Sequence, residues 1–149
     1  MKHSILALAA ACALAAADAG AQTCAAPALL APNSMVQGST CGFPKLADVF
    51  CDGTPNPGPN VVYRLTLEQA SEVEFAIGST SFEPALFVSD EACGHGRCVS
   101  AIQSGQPMPA GDYWVVVAAA EGSAEGTCGT FTLANAVTPA ETIFSDSFD

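Results

Sequence analysis

Cations are scarce in this chain. Four Lys and Arg stand against fifteen Asp and Glu, a formal net charge of −11, so nucleic acid and anionic membrane surfaces are repelled rather than recruited. Histidine is scarcer still, since beyond the N-terminal stretch only His95 remains. A zinc centre built on paired C-x-x-C and histidine ligands therefore has nothing to draw on. No Gly-x-Ser-x-Gly elbow accompanies His95, which leaves that imidazole without a nucleophile to activate. No D-x-D-x-D-G calcium loop occurs, and no long helical period is found outside the N-terminal stretch. The first absence removes the strongest sequence signal for calcium, and the second removes the all-α and α/β fold classes. With no constellation that satisfies the geometry of catalysis, the chain is expected not to be an enzyme.

What is present begins with an export signal. Lys2 gives a positive start, Ile5 to Ala17 is apolar and free of charge, and Ala19-Gly20-Ala21 offers the small residues a signal peptidase needs. Residues 1–21 are read as a signal peptide cleaved before Gln22. A membrane anchor needs about 20 consecutive apolar residues, and Asp18 and Gly20 cut this run short. The expected destination is the periplasm or the medium, without stable membrane insertion after cleavage. The remainder is one domain's worth of chain, divided into a body over 22–136 and an acidic tail over 137–149. The body holds Cys24, Cys41, Cys51, Cys93, Cys98 and Cys128, an even set in an oxidising compartment, which favours disulfides over metal binding. Proximity in sequence pairs Cys93 with Cys98 and Cys41 with Cys51, leaving Cys24 for Cys128.

Period-two patterning dominates the body. Val61, Tyr63, Leu65 and Leu67 alternate with Val62, Arg64, Thr66 and Glu68, and Val73, Phe75 and Ile77 alternate with Glu72, Glu74 and Ala76; both runs are strands. Phe82 to Val88 is a third, placed at an edge or bulge by Pro84, and Val99 to Gln103 a short fourth. Tyr113 to Ala119 is apolar on both faces and so reads as a central strand covered on each side. Thr127 to Asn135 closes the series, with weaker strands at Met35 to Thr40 and Lys45 to Phe50 and an extended lead-in over 22–33. Short strands separated by turn chemistry make an all-β, antiparallel β-sandwich.

The succession of Asn60-Val61-Val62-Tyr63-Arg64-Leu65, Phe82-Glu83-Pro84-Ala85-Leu86-Phe87-Val88, Pro109-Ala110-Gly111-Asp112-Tyr113-Trp114-Val115-Val116-Val117 and Gly129-Thr130-Phe131-Thr132-Leu133 resembles the bacterial pre-peptidase C-terminal domain. The resemblance covers roughly Ser34 to Asn135. It implies a jelly-roll-like sandwich used as a non-catalytic accessory module, some of whose relatives bind calcium, carbohydrate or insoluble protein. Asn60 stands where an aspartate opens that strand in the family, and Glu83-Pro84 where an Asp-Thr pair does. The ending Ile143-Phe144-Ser145-Asp146-Ser147-Phe148-Asp149 resembles short Ile-Phe-x-Asp-Gly-Phe-Glu endings of secreted Gram-negative proteins.

Two candidate sites follow. Asp90 and Glu91, at a loop tip beside Cys93, are the candidate calcium ligands. Trp114, the one tryptophan, is either a core residue or an exposed platform for a sugar ring or a partner's apolar patch. The expected activity is binding of an extracellular polymer or protein; the competing class is an envelope-associated structural protein that docks through its tail.

Overall fold

The computed structural model describes residues 23–92, 98 and 106–140. The expected signal peptide, the strand expected at Val99 to Gln103, Cys93 and the chain from residue 141 onward lie outside the described residues.

Among the described residues seven strands form: β1 (Ala28–Leu29), β2 (Met35–Ser39), β3 (Val61–Leu67), β4 (Ser71–Gly78), β5 (Pro84–Ser89), β6 (Gly111–Ala119) and β7 (Thr130–Pro139). They build the expected jelly-roll-like β-sandwich. One sheet has the order β1-β3-β6-β5 and the other β2-β7-β4. All pairings are antiparallel except that of β1 with β3. The chain changes sheet at nearly every connection; only β5 and β6 are consecutive neighbours within one sheet.

The alternation in β3 and β4 sends Tyr63, Leu65, Leu67 and Val73 into the main core between the sheets, where Tyr113, Val115, Val117, Phe131 and Leu133 meet them. Glu72, Glu74 and Ala76 of β4 stay exposed. β5 lies at the edge of its sheet, which tolerates Pro84 because an edge residue needs no donor on its free side. β6 lies between β3 and β5 and is buried on both faces. Its second face, with Val116 and Ala118, joins Val62 and Phe50 in a smaller cluster that Leu46, Phe87 and Trp114 border. The Phe50 ring stacks on Phe87 with centroids 3.8 Å apart.

The cover over that second face corrects the strand expected at Lys45 to Phe50. Pro44, Pro55, Pro57 and Pro59 remove ladder donors there, and one isolated bridge, Val49 with Pro55, is all that forms. Leu46 and Phe50 instead turn their side chains onto the sheet. The segment is braced by Asn56 and Asn60. The Asn56 Nδ2 donates to Asn60 Oδ1 at 2.7 Å, the Asn60 Nδ2 donates back to Asn56 Oδ1 at 3.1 Å, and Asn60 Oδ1 also accepts from the Leu46 N–H. Both residues are buried.

The last strand is Thr130–Pro139 rather than Thr127 to Asn135, because Val137, Thr138 and Pro139 pair with Val73, Glu72 and Ser71. The first three residues assigned to the tail thus belong to the sandwich.

The disulfide pairing is also corrected. Cys41 is bonded to Cys128, with Cα atoms 4.9 Å apart, and Cys51 to Cys98, with Cα atoms 5.2 Å apart. Cys24 is disulfide-bonded as well, but not to Cys128. Strand register outweighs sequence proximity. β2 and β7 pair with Ser39 opposite Thr130, so continuing the register brings Cys41 opposite Cys128. There Thr40 and Gly129 exchange backbone and hydroxyl hydrogen bonds, and a Cβ on Gly129 would collide with Ser81 Oγ and the Phe82 ring. Cys98 bridges to Ser89 at the end of β5, close to the stack that carries Phe50 and, next to it, Cys51.

Non-reducing peptide mapping is expected to recover Cys41 joined to Cys128 and Cys51 joined to Cys98; a Cys41–Cys51 peptide would contradict the fold. Removing the 41–128 bridge by C41A/C128A should lower stability by about 4 kcal/mol in the chain-entropy model, seen as a lower urea midpoint. Asn60→Asp should cost about 3 kcal/mol, because an acceptor-only carboxylate would face the Asn56 carbonyl in a buried site. That deficit should shrink as the pH falls toward about 4, where a carboxyl whose pKa burial has raised takes up its proton and regains a donor.

Candidate functional site

The pairing registers define one row across the four-stranded sheet. Leu29 lies opposite Arg64, Arg64 opposite Trp114, and Trp114 opposite Ser89. Residues directly opposite one another share a face. Their neighbours Leu30, Tyr63, Tyr113 and Val88 belong to the main core, so this row points outward. The next row on that face pairs Thr66 with Asp112, whose carboxylate accepts a short hydrogen bond from the Thr66 hydroxyl.

The row borders the part of the outer face that the 41–60 segment covers: Trp114 packs against the cluster that holds Phe50, and Ser89 at the far end of the row is buried. Leu29 is 71% exposed, and Arg64 and Trp114 are half-buried. Trp114 is therefore neither of the two alternatives in pure form: one side packs against the Val62, Val116 and Ala118 cluster and the other is open. The Arg64 Nε is buried and without a hydrogen-bond partner among the described residues. Beyond Thr66 the surface continues into a cleft of about 570 Å³ lined by Pro32, Asn33, Glu68, Gln69 and Val137 among others.

An asparagine pair fixes the rim of that cleft. Asn33 adopts a left-handed backbone, φ 55°, which asparagine tolerates better than most residues. Its Oδ1 accepts from the Val137 N–H at 2.8 Å. The Asn135 side chain accepts from the Asn33 N–H at 2.9 Å and donates to the Ala31 carbonyl at 3.0 Å. The β1–β2 turn is thereby tied to β7, which holds Leu29 beside Arg64.

Asp90 and Glu91 follow β5 directly, one strand away from Trp114. The Ser89 hydroxyl donates to the Glu91 carbonyl at 2.7 Å and shapes this turn. Burial, and then the nearby Asp90 carboxylate, raise the Tyr113 hydroxyl above its ordinary pKa; that hydroxyl donates to the Pro109 carbonyl at 2.8 Å. Calcium takes about six to eight oxygen ligands. Among the described residues no group of three or more acidic, histidine or cysteine side chains gathers at Asp90 and Glu91 or elsewhere.

Of the residues singled out in the sequence, Trp114 is in the outward row, whereas Asp90 and Glu91 belong to the adjoining loop. Leu29 and Arg64 were missed. The alternation in β3 places Arg64 and Thr66 on the outward face with Val62, but nothing in a linear pattern shows where cover over that face stops.

No protein-family model matches the chain, and no curated protein is found to be similar to it. Among solved structures it is similar to PliG of Salmonella Typhimurium, a periplasmic lysozyme inhibitor of g-type lysozyme. The identity is 12% and the TM-score 0.47, over 74% of this chain and 98% of that one.

Trp114→Ala is expected to cost about 2 to 3 kcal/mol, less than loss of a fully buried aromatic residue, because the main core between the sheets does not include it. Urea unfolding with the native circular dichroism signature retained would bear this out. A loss near 5 kcal/mol, or an unfolded variant, would place Trp114 in the core.

Proposed function

We propose that this chain is a non-catalytic binding module of the pre-peptidase C-terminal type that works outside the cytoplasm and holds an extracellular polymer or protein through the outward row Leu29, Arg64 and Trp114. One observation carries the proposal: a sheet covered on both faces leaves a single row where an exposed leucine, an arginine and a half-open tryptophan stand side by side. Exposed apolar side chains beside an aromatic residue and an arginine have the composition of an interface centre. Three further features support the setting. The cross-links at Cys41–Cys128 and Cys51–Cys98 belong to an oxidising compartment. A charge of −11 suits a surface that stays soluble there. The sandwich agrees with the architecture that the family resemblance implies.

Retention on insoluble chitin, cellulose and fibrous collagen tests the proposal. Wild type should be held by at least one of them, and Leu29→Ser should reduce that retention several-fold with an unchanged melting temperature, since the lost side chain is mostly in water. Equal retention of Leu29→Ser and wild type would remove the row as the site, and retention on none would remove the module function for these ligand classes. The module needs no cofactor, so the melting temperature should not move in excess calcium. A rise would instead assign Asp90 and Glu91 a cation, because a ligand bound only by the folded state stabilises it.

A further inference from the structure

We infer that the outward row takes a carboxylate presented by a basic protein surface, with the Arg64 guanidinium as its anchor; this rests on the row being the binding face proposed above. Among the described residues the cations are Lys45 and Arg64. Lys45 is engaged, 3.5 Å from Asp48 and 3.6 Å from Glu125. The Arg64 side chain makes no ion pair or hydrogen bond among the described residues, and its Nε is buried. The carboxylate nearest in register on the same face, Asp112, is held by Thr66.

An unpaired buried donor is unfavourable, and more so when it belongs to a charged group. A guanidinium is satisfied best by a carboxylate, which it grips through two parallel N–H donors. Leu29 on one side of Arg64 and Trp114 on the other supply apolar walls that would keep water from such a contact. Net charge then selects the source of the carboxylate. A polyuronate or another acidic polymer brings many negative charges toward a chain at −11 and is repelled before it docks. A protein that is basic overall and carries a lone Asp or Glu is drawn in by the long-range field and complements Arg64 locally.

The lone tryptophan makes the row its own reporter. The mature chain would be titrated with the peptide Ac-Lys-Lys-Leu-Glu-Leu-Lys-Lys-NH2, with its counterpart carrying Gln for Glu, and with polygalacturonate, following Trp114 emission. The expected result is a saturable change with the Glu peptide, at least tenfold weaker with the Gln peptide. Arg64→Met, which keeps a long unbranched stem and removes the guanidinium, should weaken the Glu peptide by a similar factor. If that variant folds poorly, the Glu-to-Gln comparison on wild type still decides. Equal binding of the two peptides would overturn the carboxylate anchor and leave the row standing as a binding face. Tighter binding of polygalacturonate would overturn the choice of a basic protein. No response to any probe would overturn the inference, while retention of wild type against Leu29→Ser on the insoluble polymers judges the row by itself.

Discussion

A strand with two apolar faces must be covered twice, and that requirement at β6 organises this protein. Tyr113, Val115 and Val117 look into the sandwich, while Val116 and Ala118 look away from it. The second sheet covers the first set. No third sheet exists among the described residues to cover the other, so an irregular segment rich in proline does it, bringing Leu46 and Phe50 onto Val62, Val116 and Phe87. Each large apolar side chain buried this way contributes about 1.5 to 3 kcal/mol. Such a segment has no ladder of its own, which is why the Asn56–Asn60 amide pair and the disulfides at Cys41 and Cys51 bracket it.

The functional surface follows from the limits of that cover. Cover ends at the Arg64–Trp114 row, and β1, only two residues long, contributes Leu29 but does not extend far enough to close the sheet edge beyond it. The mixture left in the open is unlike the outer face of β4. There the outward positions carry Glu72, Glu74 and Ala76. At this row they carry one guanidinium flanked by a leucine and an indole. An acidic molecule with its unpartnered arginine set among apolar side chains has long-range and short-range electrostatics of opposite sign, which narrows the partners that satisfy both.

Legibility of the fold in the sequence depended on how much of the physics was local. β3, β4 and β6 were readable because one residue in two, or every residue, is apolar over seven or more positions, and the edge place of β5 was readable from Pro84. β1 is too short to show a period and exists because Ala28 and Leu29 pair with Tyr63 and Arg64 of β3. The Lys45 to Phe50 segment has a strand-like pattern, but its neighbouring prolines and its destination on the outer face decide otherwise. Disulfide partners depend on register between strands distant in sequence, so proximity along the chain misassigned them. At the candidate site, Trp114 was visible as a lone aromatic residue. Arg64 and Leu29 acquire meaning only once three strands lie side by side and the covering segment stops short.

Collisional quenching of Trp114 fluorescence tests most directly whether cover ends at this row beside an unpaired arginine. Acrylamide should quench to an extent between that of a free indole and a buried one. Iodide should quench more efficiently than caesium, despite a net charge of −11 that favours the cation overall, and Arg64→Gln should reverse that order. A tryptophan that resists all three quenchers, or one that caesium quenches better in the wild-type chain, would contradict the account.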